Sequence, residues 1–374
     1  MSQDMLIINP GSTSTKTALF DGQQRITEES VRHDAKELAR FDNVADQFDY
    51  RMEGINRWIE ALDLKEGQIK AVVGRGAPLR PLEGGSYTIS EQMLEDVRTA
   101  RYSNHASNLG AIMAHHLAQR FGVPSLISDP ITVDNFTEVA RLSGVPEIKR
   151  KCRSHALNIK EVSRREAAKI GKRLEDISFV TVHMGGGISV AALKGGQIID
   201  VNDGLLGMGP FSPDRAGALP IGGVVELCFS GNYTKKELID KFSKSSGLIA
   251  YLGEADLRKV EDMIDSGDQK ALLCFSAMAY QIAKEIGAMA VTLKGEVDAI
   301  ALTGGGAHCR PLVDLIKEKI SFLVKDSARD ILLFPGEDEL KALAQGALRV
   351  LRGEEKALEY PQQIEYKELF NGNI

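Results

Sequence analysis

A duplicated α/β fold, with a cleft between its two copies, is what this sequence predicts, and three observations carry the prediction. Apolar strand-like runs alternate with helix-period stripes along all 374 residues. The opening pattern, MLIINP, then GSTS, then TKTALF, returns about 175 residues later as SFVTVHM, GGG and ISVAALK. The chain is also too long for one ordinary core and about right for two domains.

The elements follow in order. Residues 5–10 and 15–20 read as paired strands joined by a tip of small residues. Apolar residues at 38, 41, 44, 48, 52, 55, 58, 59 and 62 trace a helical stripe of about seven turns, as one helix or an interrupted one. AVVG (71–74) reads as a short buried strand, 106–121 as an apolar helix, and SLISDP (125–130) as a strand ending on an aspartate. Helical spacing resumes at Ile159, Val162, Ala167, Ile170 and Leu174. The second hairpin has strands at 178–184 and 188–194, a glycine turn at 185–187 and a third strand at 197–201. A long helix at 270–293, a strand running into a glycine turn at 299–307, a last strand at 330–339 and a final helix at 339–358 complete the series.

Composition narrows the function. The chain is 43% apolar and 26% charged, with a net charge of −6, and that sign argues against a nucleic-acid or membrane-surface partner. No apolar run approaches the ~20 residues of a membrane span. The first residues carry no basic n-region and run straight into a strand, so no secretory signal is expected. Cys152, Cys228, Cys274 and Cys309 are far apart and form no CxxC pair, which predicts reduced, mostly buried thiols in a cytoplasmic protein and no structural zinc.

The hairpin tips are where ligand chemistry is expected. Gly11, Ser12, Thr13 and Ser14 before Lys16 superficially suggest a Walker A loop. That pattern needs a glycine directly before the lysine and a helix after it, whereas Thr15 precedes Lys16 and a strand-like run follows. A tip without bulky side chains instead lets backbone N–H groups approach an anion. Gly185, Gly186 and Gly187 form the second such tip, and two in equivalent places predict a polyphosphate ligand. A nicotinamide-cofactor reading fails, because no GxGxxG lies between a first strand and a helix.

NPGSTSTK (9–16), HMGGGIS (183–189) and LTGGGA (302–307) resemble the two phosphate loops and the adenosine loop of the acetate/butyrate kinase family, within the sugar-kinase, Hsp70 and actin superfamily. The likeness runs nearly end to end, through VVGRG (72–76), SNHASNLG (103–110), SDP (128–130), SHALN (154–158), FSPDRAG (211–217) and PGEDEL (335–340). It is closest to the butyrate kinase branch, since the NAGSSS-, HGG- and FHGTSH-type variants of acetate kinases are missing. The resemblance implies two duplicated actin-like (ribonuclease H-like) domains: residues 1–133 with 341–374, and residues 134–340 carrying the adenosine loop. It implies a reversible in-line transfer of the ATP γ-phosphoryl group to butyrate or a branched C4–C5 acid. A preference for acetate or propionate is the alternative within the family, and a non-kinase ATPase switch the alternative within the superfamily. The implied partners are a short-chain carboxylate and ATP/ADP, with Mg²⁺ and a homodimer or larger assembly.

That chemistry needs no general base, because a carboxylic acid of pKa ~4.3 is already ionised near neutral pH. It needs cations and anion-directed donors, since two unit charges 4 Å apart repel by about 4 kcal/mol at an effective dielectric of 20. Arg75, between two glycines at a strand end, and Arg215, in a proline- and glycine-punctuated loop, match the family's clamp arginines. His155 is expected to stabilise the transferring group and His105 to position the acid. Asn9, Gly11, Ser12, Thr13, Ser14, Lys16, His183, Gly185, Gly186, Gly187, Gly304, Gly305 and Gly306 are expected to hold ATP. Asp129 is an expected magnesium-linked catalytic acid. Asn9 with Asp338 or its neighbour Glu339 supplies the remaining metal contacts. Gly76–Ala77 and Ser154 stand where acetate-preferring relatives carry bulkier residues, which predicts room for a longer acid, each methylene contributing about 0.8 kcal/mol.

Overall fold

Both predicted hairpins form. In the computed structural model, which describes residues 3–326 and 330–361, β1 (Asp4–Pro10) pairs antiparallel with β2 (Ser14–Asp21). Likewise β7 (Ser178–Met184) pairs with β8 (Ile188–Lys194). Lys16 lies inside β2, so no helix follows the first tip and the Walker A geometry is absent.

Each hairpin seeds a sheet of the same plan. In the first, β3 (Gln24–Arg32) continues antiparallel from β2, while β4 (Ile69–Arg75) and β6 (Ser125–Ser128) add parallel on the other side of β1. A short β5 (Ser86–Thr88) closes that edge, giving the order β3-β2-β1-β4-β6-β5. In the second, β9 (Gln197–Val201) follows β8, and β10 (Ala299–Gly304) and β11 (Ile331–Pro335) lie parallel beyond β7. Its order is β11-β10-β7-β8-β9. Apart from β5 the two plans superpose strand for strand, as expected of a duplicated mixed α/β fold.

The chain divides into two units, one of residues 1–80, 85–130 and 339–374, the other of 81–84 and 131–338. In the first, the helices Phe48–Ala61, Asn108–Phe121 and Glu339–Leu351 bury their apolar faces, Met52, Ile55, Leu109, Met113, Leu343 and Ala347 among them. In the second, the helix Gln269–Thr292 lays Phe275, Met278, Ile282 and Ile286 into a core with Val180, Val182, Ile300 and Leu302. Its outer side leaves Leu273, Tyr280 and Val291 exposed. Helix Ala156–Lys169 covers the opposite sheet face, with Ile159 beside Phe179.

Two expected helices change, and of the two forms open to the stripe from 38 to 62 the interrupted one is observed. Ala35–Leu38 stops, and a new start comes at Asn43, whose side chain accepts from Ala45 N–H and restarts the chain as a 3₁₀ turn leading into Phe48–Ala61. The helix expected to span Ile159–Leu174 runs from Ala156 to Lys169. The final helix ends at Leu351 rather than 358, because Gly353 turns left-handed (φ +70°) and the following residues run back beside β5. Of the four thiols, Cys152, Cys274 and Cys309 are buried and Cys228 is exposed.

Candidate active site

The first unit gathers Asn9, Arg75 and Glu339. Asn9 ends β1 and Arg75 ends the adjacent β4, so the parallel register sets both side chains at the same sheet end. Glu339 opens the helix Glu339–Leu351. Arg75 ion-pairs with Glu339 Oε1 and donates to Asn9 Oδ1 at 3.3 Å, while Asn9 Nδ2 donates to Glu339 Oε2 at 2.7 Å. Asp338 is exposed on the preceding loop.

Asp129 follows β6 with its backbone in the left-handed region (φ +38°) and is 3% exposed. Its Oδ1 accepts from Gly85 N–H at 2.8 Å and its own N–H donates to Gly85 O at 2.9 Å. His105 Nδ1 lies 2.8 Å from Ser107 Oγ and accepts from Ser107 N–H, so the ring carries its neutral-state proton on Nε2.

The expectation that Gly76 leaves room for a longer acid does not survive. A Cβ there would sit 2.6 Å from Pro130 Cα, so the missing side chain is occupied by packed protein. Ala77 is 1% exposed and part of the core. Smallness at these positions serves close approach of two chain segments, not pocket volume.

The second unit brings together His155, His183, the glycine tip and Arg215. His155 caps the helix Ala156–Lys169 and His183 lies on β7, so the rings stack with centroids 3.9 Å apart and planes 13° apart. His155 Nδ1 is 2.9 Å from Ser189 Oγ, and His183 Nδ1 is 2.9 Å from Asn158 Oδ1. Glu337 Oε2 stands 3.6 Å from His183 Nε2. Ser154, at the foot of this group, is buried. Asn158 and Ser189 were not sequence candidates. Asn158 was within sight, three residues after His155 on a helix face turned to the sheet.

The loop around Arg215 packs onto the second tip. Ser212 Oγ donates to Gly186 O, and Arg215 Nη1 donates to Gly204 O. A Cβ on Gly187 would lie 2.7 Å from Arg215 Cζ and 2.8 Å from Gly204 O, so only glycine admits the guanidinium here. Burial draws the Arg215 pKa down from its ordinary value, with Asp214 and Asp203 opposing. Burial likewise raises Asp214, with Arg215 opposing. Arg215 Nε and Asp214 Oδ1 are both buried without a hydrogen-bond partner, although the two atoms are only 3.7 Å apart. Beside the guanidinium lies a small recess of mixed lining, with Ile188, Leu206, Met208 and Pro210 alongside Asp203 and Ser212.

The glycine turn after β10 completes the set. Gly304 has φ +83° and exchanges two hydrogen bonds with Gly336, 3.1 and 2.9 Å long, and Gly305 and Gly306 form a 3₁₀ turn after it. Among the described residues no three His, Cys, Asp or Glu side chains cluster as a metal site. Magnesium requires only one or two protein oxygens, and Asn9 Oδ1 with Glu339 provides hard donors of the right kind.

With two matching sheets, each opened by a hairpin, the architecture is a duplicated actin-like one. The acetate kinase of Porphyromonas gingivalis matches it over 93% of this chain and 100% of that one, at 20% identity and a TM-score of 0.76. The Entamoeba histolytica acetate kinase matches over 92% and 98% (18%, TM-score 0.71), and a propionate kinase from Francisella tularensis over 92% and 98% (19%, TM-score 0.70). At these identities the likeness is one of fold. Residues 147–329, which include His155, His183, the second tip, Arg215 and the Gly304 turn, also match the sequence model of the Acetokinase family.

Proposed function

We propose that this protein transfers the γ-phosphoryl group of ATP to the carboxylate of a short-chain fatty acid, reversibly, and that butyrate or a branched C4–C5 acid is preferred. The observation that carries the reading is the site at Arg215: a half-buried guanidinium with an unmet Nε donor, packed against a glycine-only hairpin tip. A carboxylate or the transferring phosphoryl group fits that cation. The likeness to acetate and propionate kinases supports the carboxylate as acceptor and equally supports a shorter acid.

In this reading a carboxylate oxygen attacks the γ-phosphorus, the bond to the β-γ bridging oxygen breaks, and its electron pair leaves with ADP. The acid arrives ionised, so no side chain removes a proton. Arg215, and Arg75 if it exchanges its Glu339 partner for substrate, offset the repulsion between nucleophile and phosphate. His155, held by Ser189 and stacked on His183, is assigned to the equatorial oxygens of the transferring group. Glycine tips 11–14 and 185–187 offer backbone N–H groups to the phosphates, and Gly304–Gly306 the adenosine side. Magnesium, held through Asn9 and Glu339, neutralises phosphate charge when bound.

The test incubates the protein with Mg-ATP and acids of two to six carbons in hydroxylamine. A hydroxamate maximum at C4–C5 is expected. A maximum at C2–C3 replaces the chain-length assignment, and no hydroxamate with any acid ends the kinase reading.

A further inference from the structure

The first hairpin tip has a cation buried behind it. Arg51, on the helix Phe48–Ala61, is 1% exposed. Its Nε donates to Gln47 Oε1 (3.0 Å), Nη1 to Gly11 O (2.8 Å) and Thr15 Oγ1 (3.4 Å), and Nη2 to Ser12 O (3.0 Å). Every acceptor is neutral. Among the described residues no carboxylate lies within ion-pair distance of it. Buried charges are ordinarily paired, so this one is an uncompensated cation placed directly beneath a loop.

The same bonds orient the loop. In a trans peptide the N–H points opposite to the preceding C=O, and the structure has no cis bonds. With Gly11 O and Ser12 O drawn inward to the guanidinium, the N–H groups of Ser12 and Thr13 are turned outward. Both residues are exposed, and neither N–H has an acceptor among the described residues. His33 supports the arrangement from the side, its Nε2 2.9 Å from Thr15 Oγ1.

We propose that Arg51 is a positioning residue for anion binding at residues 11–14: it aims the Ser12 and Thr13 N–H groups at a phosphate and supplies the positive charge that the phosphate compensates. The proposal rests on reading that tip as a phosphate loop, and it assigns the phosphate affinity of the tip to a side chain that never touches the ligand. Lysine in its place keeps the charge but cannot grip two carbonyls at once.

Isothermal titration with inorganic tripolyphosphate, and separately with adenosine, tests it on wild type, Arg51→Met and Arg51→Lys. Tripolyphosphate affinity should fall at least 10-fold in Arg51→Met and by an intermediate factor in Arg51→Lys, while adenosine affinity stays within 2-fold. Tripolyphosphate affinities within 2-fold of wild type in both variants overturn the proposal. Should the variants not fold, the wild-type protein decides: tripolyphosphate should shift the ¹⁵N–¹H signals of Ser12 and Thr13, and unmoved signals at saturation overturn it. Acyl phosphate formation is measured in parallel. An enzyme that makes acyl phosphate yet binds tripolyphosphate independently of Arg51 sinks this inference alone. A protein that shows the Arg51 dependence but makes no acyl phosphate sinks the kinase reading alone.

Discussion

The two hairpin tips occupy equivalent places in their sheets and are built in opposite ways. Residues 11–13 link β1 to β2 and residues 185–187 link β7 to β8, and each turn is closed by a backbone bond, Gly11 N–H to Ser14 O and Gly185 N–H to Gly187 O. The first keeps side chains at its tip, leaves Ser12 and Thr13 exposed, and is held from beneath by a buried arginine. The second has no side chains at all, and a loop from outside lies on it, with Ser212, Asp214 and Arg215 in the space side chains would fill. The two copies share a backbone turn, while a cation lies behind the tip in one and against its front in the other. A charge beneath a loop can orient and attract but cannot reach substrate; a charge above it can.

The sharpest way to break this comparison is to remove the cation from above. Arg215→Ala should lower kcat by about 10³-fold, roughly 4 kcal/mol of transition-state stabilisation, with ATP affinity changed only a few-fold. Wild-type turnover in the hydroxamate assay would show that Arg215 has no part in the reaction. A methyl group on the crowded tip comes next. Gly187→Ala must displace the guanidinium or Gly204, and should reduce turnover about 100-fold while costing about 1–3 kcal/mol in urea unfolding. The same addition is absent from the open tip, where Ser12→Ala removes only an exposed hydroxyl and should change stability by less than about 0.5 kcal/mol.

Between those extremes lie two tests of the first unit. Gly76→Ala forces Cβ against Pro130 and should destabilise by about 1–3 kcal/mol without moving the optimum acid length. A stable variant that rejects longer acids would restore Gly76 as a pocket residue. His33, flanked by Thr15, Tyr50 and Arg51, has its pKa pulled from 6.5 to about 4, first by burial and then by the Arg51 charge. The unfolded chain therefore binds this proton more readily. Its contribution is intact above pH 6.5 and is lost as pH falls from 6.5 towards 4, on the order of 1–3 kcal/mol in all. Unfolding midpoints across that window should drop in wild type and flatten in His33→Gln; equal slopes would remove His33 from the account.

Much of the fold was readable because its signals are local. Short apolar runs in 4–10 and 178–184 mark strands, and tips of small residues mark their turns. Boundaries were missed where a side chain caps or a glycine turns the backbone, as at Asn43 and Gly353, since the apolar period continues across both. Site residues on strand ends and loops were legible as types. Their partners were not: that Glu339 meets Asn9 and Arg75 follows from strand register and the start of a helix. Arg51 carried one weak mark, a charge lying between Phe48 and Ile55 on the buried face of an apolar stripe.

By itself the order of residues determined the duplicated α/β plan, the two small-residue tips and the supply of cations near them, because hydrophobic period and turn chemistry act over a few neighbouring residues. Only the tertiary structure decided which cation serves which tip, that Gly76 is filled by Pro130, and that two histidines 28 positions apart stack. Those outcomes depend on distances between segments remote in the chain, and packing, not local preference, sets them.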